Sequence, residues 1–116
     1  KTAKTQLSWV IDHSSVAELK MLAKLRLSAI LLDEKSYDAA LAAIAGNGSD
    51  EFAGDVLDRK ADIFVAQNKI AEARDAYKQA LVKMGEKHAG RQLVQIKLDA
   101  IGGAAESSTN KNSDKK

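Results

Sequence analysis

Apolar residues recur along this chain at the three- and four-residue spacing that is typical of helices. The first stripe joins Ala3, Leu7 and Val10 and predicts a helix over residues 2–11. Trp9 lies off that stripe. Because tryptophan is usually well buried, we expect its ring to pack beneath the following helix.

Five further helices follow from the same periodicity, separated by short polar or glycine-containing segments. Their predicted ranges are residues 16–33, 37–45, 52–65, 70–84 and 87–101. Ser15 stands three residues before Glu18, which is the spacing of a capping box, so we expect it to cap the second helix. Ser49 or Asp50 is expected to cap the fourth helix.

The chain also resembles itself at a shift of 33 residues, which aligns "EKSYDAALAAI" at 34–44 with "QNKIAEARDAY" at 67–77. In both copies a small residue on the first helix, Ser28 or Ala61, precedes a small residue on the second helix, Ala40 or Ala73. Large side chains flank each pair. We therefore predict that the small pairs let the two helices of each hairpin approach closely.

A small–small crossing within a helix–turn–helix unit of this length resembles the tetratricopeptide repeat. The resemblance implies an all-α, tetratricopeptide-like helical hairpin solenoid, in which residues 87–101 form the C-terminal capping helix. We expect residues 1–103 to be this domain, incomplete at its N-terminus because the first helix ends a preceding unit. Residues 104–116 hold no large apolar side chain and are predicted to be a disordered tail.

Three longer segments are similar, in order and spacing, to the periplasmic domain of YfgM-like proteins, the ancillary subunits of the SecYEG translocon. The segments are "QLSWVIDHSSVAELKMLAKLRLSAILLDEKSYDAALAAI", "DRKADIFVAQNKIAEARDAYKQAL" and "LVQIKLDAI". The resemblance implies a position on the periplasmic side of the bacterial inner membrane, through an anchor upstream of this chain. It also implies protein partners: the translocon and a periplasmic chaperone such as a membrane-anchored prolyl isomerase-like protein.

Charge and composition narrow the classes of function. The 18 basic and 16 acidic residues are interleaved along the chain, which disfavours nucleic-acid binding. The absence of cysteine excludes disulfides and thiolate metal sites. No stretch approaches the roughly 20 apolar residues of a membrane span.

Few residues offer catalytic chemistry. His13 and His88 have no partners at metal-ligand spacing and are expected to be solvated. Asp55, Asp58 and Asp62 could act as acid and base only in a cleft, and we expect them on an exposed helix face. The sequence therefore predicts no enzyme activity and no cofactor, with a small hydrolase using these aspartates as a minor alternative.

The predicted function is a non-enzymatic protein–protein interaction module. The first helix of each stacked hairpin usually lines the concave side, which gives a candidate protein-binding surface. Its residues are Leu22, Leu25, Arg26, Ala29, Leu32, Asp58, Arg59 and Asp62. Alternatively, these leucines are packed between hairpins and these charged side chains are merely solvated, so that neither group binds a partner. The alternative function is a generic cytoplasmic tetratricopeptide scaffold, with possible self-association.

Overall fold

A computed structural model describes residues 2–46 and 50–102 of the chain, and within them the architecture is entirely helical. The α-helices are α1 (Thr2–His13), α2 (Ala17–Asp33), α3 (Tyr37–Ala43), α4 (Ala53–Ala66), α5 (Ile70–Lys83) and α6 (Arg91–Ala100), with a 3₁₀ turn at Asp50–Phe52. The described residues hold no strand, which confirms the all-α prediction. The predicted tail at 104–116 lies outside them.

The helices pack as neighbours in chain order. Helices α2 and α3 form one hairpin and α4 and α5 form the next, while α1 packs on α2 and α6 packs on α5. Helix α4 also contacts both helices of the first hairpin. This nearest-neighbour packing is the arrangement of a solenoid built from repeated helix pairs.

The turns inside the two hairpins show the 33-residue repeat in the backbone itself. Lys35 and Asn68 both adopt the left-handed conformation, with φ of 63° and 65°. The amide of the next residue then donates to a carbonyl five residues earlier, from Ser36 to Leu31 at 2.9 Å and from Lys69 to Phe64 at 2.8 Å. Both turns are therefore Schellman motifs, which close a helix and redirect the chain in the same way.

The small residues that the sequence places at the two hairpin crossings are all buried. Ser28 and Ala40 in the first hairpin, and Ala61 and Ala73 in the second, are all fully buried. In the first hairpin the Ser28 hydroxyl also donates a 2.9 Å hydrogen bond to the carbonyl of Ala40. A small side chain at this position thus permits close approach, and serine additionally ties α2 to α3.

Among the residues that the structure describes, two apolar clusters form the core. One joins the first hairpin to α4 and is centred on Ala40, Ile44 and Ile63. The other joins α4, α5 and α6, and its buried members are Ala61, Ala76, Tyr77, Ala80, Met84, Val94 and Leu98. Helix α6 therefore covers the last hairpin through Val94 and Leu98, consistent with a capping helix.

Helix starts were predicted less well. Helix α2 begins after Val16, whose extended backbone (φ −93°, ψ 113°) has no side-chain capping bond, so the Ser15 capping box is wrong. Instead the Ser14 hydroxyl accepts the Val16 amide at 3.0 Å. Ser49 lies outside the described residues, and Asp50 starts the 3₁₀ turn, which leaves Phe52 at the start of α4.

Helices α3 and α6 are shorter than predicted. Helix α3 ends at Ala43, two residues early, because the amides of Ile44 and Ala45 bond three residues back in 3₁₀ fashion. Helix α6 begins at Arg91, because the His88 ring accepts the Gly90 amide at 2.8 Å and holds the preceding residues in a turn.

The expectation that Trp9 is buried is wrong. Its side chain is 61% exposed, and its ring stacks on His13 of the same helix, with centroids 4.4 Å apart. At the 33-residue shift, Trp9 corresponds to Ala42 and then to Asp75, and both of these are exposed. Position 9 therefore belongs to the outward side of the repeat, where a large side chain finds no neighbouring helix.

Candidate protein-binding surface

The α2 part of the predicted surface divides into exposed and packed residues. Leu22 is 52% exposed, Arg26 is exposed and Ala29 is half-buried. Leu25 and Leu32 instead pack against the core cluster around Ala40 and Ile63. Side chains on one helix face are separated by three or four residues, so Leu22, Arg26 and Ala29 form a stripe that a partner can reach.

The aspartates in the α4 part of the predicted surface are bound by side chains from other helices of the same chain. The ammonium of Lys97 on α6 lies 2.8 Å from Asp58 and 3.0 Å from Asp62. The Tyr77 hydroxyl on α5 donates a 2.5 Å hydrogen bond to Asp62 Oδ1, the same oxygen that Lys97 contacts. Arg59 lies 3.6 Å from Asp62. Three helices therefore converge on this acidic pair.

This arrangement corrects the expectation of an exposed acidic face. The side chains of Asp58 and Asp62 are only 23% and 20% exposed, and the Lys97 side chain is 27% exposed. Helix α6 lies close enough to α4 to shield them from water. The aspartates therefore work in the structure as an ionic link between α4 and α6.

The two halves of the predicted surface are the same repeat position in consecutive units. At the 33-residue shift Leu22, Leu25 and Ala29 correspond to Asp55, Asp58 and Asp62, while Arg26 corresponds to Arg59. The first unit is apolar at this face and the second is acidic. The aspartates of the second unit contact Lys97, whereas Leu22 of the first unit remains exposed to solvent.

Burial and neighbouring charges shift three pKa values in the acidic cluster. Desolvation raises the pKa of Asp58 above its ordinary value of 3.8, and the negative charge of Asp62 adds to this, although Lys97 opposes both effects. Desolvation alone lowers the pKa of Lys97, but the contacts with Asp58 and Asp62 outweigh it and the pKa is raised. Burial, followed by the hydrogen bond to Asp62, raises the pKa of Tyr77.

We expect these shifts to make the fold sensitive to alkali. Tyr77 and Lys97 both have pKa values raised above their ordinary 10.0 and 10.5, so the folded state holds these protons more tightly than the unfolded state. Their contribution to stability is complete below about pH 10 and is lost as pH rises through the raised values. Urea unfolding between about pH 8 and pH 12 measures this loss.

Tyr77→Phe supplies the comparison for that titration. It removes one of the two groups, so its free energy of unfolding should fall less steeply with pH than that of the parent. The absolute stability also changes because a hydrogen bond is lost, and only the slope is compared. Equal slopes in the two proteins would contradict the assignment.

Sequence reasoning found the aspartates but missed Lys97 and Tyr77 as their partners. The repeat does contain a signal for the contact with Lys97. Lys97 corresponds to Phe64 at the 33-residue shift, and Phe64 packs against the apolar core. A lysine at a repeat position that is otherwise apolar indicates a partly buried cation with an acidic neighbour.

His13 is exposed, as expected, whereas His88 is half-buried. His13 hydrogen-bonds through Nδ1 to the Trp9 carbonyl at 2.9 Å beneath the stacked indole. His88 accepts the Gly90 amide and places Nε2 3.4 Å from Asp55. Among residues 2–46 and 50–102, no group of three histidine or carboxylate side chains is arranged to hold a metal ion.

Large apolar side chains remain exposed at both ends of the described structure. Besides Leu22, they include Leu19 on α2 and Leu93 and Ile96 on α6. Within the described part of the chain, no helix combines the length and the apolar character needed to cross a bilayer. The exposed side chains form separate short stripes, Leu19 with Leu22 on α2 and Leu93 with Ile96 on α6.

Comparison with known proteins fixes the class of this fold. A family model described as a tetratricopeptide repeat-like domain matches residues 1–103, so the chain belongs to that family. The chain is also similar to a protein of Neisseria gonorrhoeae (strain ATCC 700825 / FA 1090) described as "Ancillary SecYEG translocon subunit". The two are 40% identical over 99 residues, which cover 85% of this chain and 47% of the relative.

The similarity confirms the resemblance to ancillary SecYEG subunits that the three sequence segments indicate. The chain spans about half the length of this curated relative, 47%. No solved structure matches the chain.

Proposed function

We propose that this chain is a non-enzymatic protein-interaction module of a membrane-tethered ancillary translocon subunit. The proposal places it on the periplasmic side of the inner membrane, where it binds a chaperone or a translocon component during protein export. It is supported by membership of the tetratricopeptide repeat-like family and by the similarity to a protein named as an ancillary SecYEG subunit.

The observation that carries the proposal is the open stripe on α2. Leu22 is 52% exposed beside exposed Arg26, although Asp55, which corresponds to Leu22 in the second unit, lies 3.4 Å from His88. An exposed leucine next to an arginine offers an apolar contact with a charged rim, which is the usual composition of a protein-docking surface. The partner therefore docks first on α2, and the α4 aspartates stay paired with Lys97.

Site-specific photocrosslinking tests the docking surface. A photoreactive phenylalanine replaces Leu22 or Arg26 in the complete protein, expressed in its own cells, and crosslinked products are identified by mass spectrometry. We expect translocon subunits or a periplasmic chaperone at both positions. Val82, which is 82% exposed on α5, is the matched control and should give neither.

Two outcomes oppose the proposal. Crosslinks to cytoplasmic proteins alone favour the generic cytoplasmic scaffold instead. Equal yields of the same products from positions 22, 26 and 82 show that α2 is not the docking surface.

A further inference from the structure

A second apolar surface lies on the other side of α4, in a cleft between α3 and α4. Its walls are Leu41, Ile44 and Gly46 at the end of α3 and Val56, Lys60 and Phe64 along α4. The cleft has a volume of about 440 Å³. Specific ligand sites in proteins span roughly 300 to 1,000 Å³, so it has room for a few large side chains.

The cleft exists because the first unit is smaller than the second at the end of its second helix. At the 33-residue shift Ile44, Ala45 and Gly46 stand where the second unit has Tyr77, Lys78 and Gln79. Helix α3 also has 7 residues, whereas α5 has 14. The shorter helix and smaller side chains leave the flank of α4 uncovered by α3.

One charge distinguishes the cleft from an ordinary packing gap. Lys60 is exposed and is the only charged residue among the described residues of the lining, between Val56 and Phe64 on the same helix face. It has no ion-pair partner within residues 2–46 and 50–102. An apolar wall with an unpaired ammonium at its rim is complementary to apolar side chains that carry a carboxylate beside them.

The α4 wall also has a helical spacing. Val56, Lys60 and Phe64 follow each other at four-residue intervals, which makes a ridge about 12 Å long. Apolar side chains one turn apart on another helix match such a ridge, as in the docking of an amphipathic helix into a groove.

We propose that this cleft binds an amphipathic helix of a partner protein, with two leucine-like side chains one turn apart and a flanking glutamate or aspartate that pairs with Lys60. The site differs from the α2 stripe. Lys60 and Asp58 are two residues apart and point about 200° apart around the helix axis, so they lie on opposite sides of α4. Failure of this proposal therefore leaves the proposed function standing.

The probe for this proposal is a synthetic helical peptide of about 14 residues with leucines at i and i+4 and glutamates flanking that pair. A second peptide carries lysines in place of the glutamates. Binding to the complete chain is measured by fluorescence anisotropy and mapped by amide chemical shifts. We expect the acidic peptide to bind and to shift residues 41–46 and 56–64.

Charge reversal at the rim gives the sharpest comparison. Lys60→Glu should weaken binding of the acidic peptide about tenfold or more and should strengthen binding of the lysine peptide. The reason is that the substitution reverses the charge that faces the peptide. Lys78→Glu, an exposed lysine on α5 outside the cleft, should change neither affinity. Equal effects of the two reversals overturn the proposal.

Filling the cleft is the steric test. Ala45→Phe places a ring in the lining and should abolish binding, whereas Ala42→Phe on the exposed side of α3 should not. Circular dichroism checks that both variants remain folded. Three outcomes overturn the assignment of this occupant. The peptide still binds to Ala45→Phe, or the amide chemical-shift changes are centred on Leu22 and Arg26. In the third, the amide shifts change with protein concentration in the absence of peptide.

Discussion

Replacement of Ala73 by leucine is expected to lower the free energy of unfolding by about 1 to 3 kcal/mol or more. Ala73 is fully buried in α5, at the repeat position that is predicted to cross Ala61 of α4. Leucine adds three carbons at a position where even the alanine side chain has no access to water. The helices must then separate or the side chain must leave its preferred rotamer, and either change strains the packing around Tyr77 and Phe64. Urea unfolding followed by circular dichroism measures the loss.

Ala71→Leu is the matched control because it makes the same chemical change two residues away. Ala71 is exposed on the same helix. Leucine and alanine have similar helix propensities, so the control should stay within about 0.5 kcal/mol of the parent. If the two variants unfold at the same urea concentration, Ala73 does not lie at the crossing.

The repeat made this part of the fold predictable. A crossing requires small residues at fixed positions, and the sequence shows them twice, at Ser28 with Ala40 and at Ala61 with Ala73. The burial of all four follows from local spacing plus the period of the chain. No distant contact had to be guessed.

Helix starts were less predictable because several residues near each start can satisfy the free amides. Ser14, Ser15 and Val16 all precede α2, and the structure uses the Ser14 hydroxyl one step earlier than the capping-box spacing predicts. Which residue lies at the start of α2 depends on the direction in which the chain leaves α1. That direction is a property of tertiary packing rather than of local sequence.

The candidate site shows the same limit. The sequence placed Leu22, Arg26 and the α4 aspartates on one repeat face, and the 33-residue equivalence explains why. It could not show that Lys97, 35 residues beyond Asp62, approaches that face, because this contact depends on how α6 packs against α5. Hydrophobic periodicity identifies which residues are buried but carries little information about which charges meet.

Replacing Lys97 with methionine is the second large perturbation that the structure predicts. The Asp58 and Asp62 carboxylates share this one ammonium, at 2.8 and 3.0 Å. Methionine retains most of the apolar stem but leaves two partly buried carboxylates beside each other, with Arg59, 3.6 Å from Asp62, as the remaining cation. Removing one partner of a fully buried ion pair costs about 3 to 5 kcal/mol, and partial exposure here reduces the expected loss to about 1 to 3 kcal/mol.

Two comparisons separate loss of charge pairing from loss of packing. Lys78→Met removes a solvent-exposed lysine from α5 and should leave the urea midpoint nearly unchanged. Adding Asp58→Asn to Lys97→Met removes the carboxylate that has lost its ammonium partner and should recover part of the loss. A double variant no more stable than Lys97→Met alone would indicate that the lysine stem, not its charge, holds α6 in place.

The pH dependence of this variant follows from the same charges. Protonation of Asp58, whose pKa is raised above 3.8 because its carboxyl is desolvated, removes the repulsion that Lys97→Met exposes. The stability difference between parent and variant should therefore shrink as pH falls toward about 4 and should be largest near neutral pH. A difference independent of pH would mean that Lys97 stabilises α6 through contacts other than the shared ion pair.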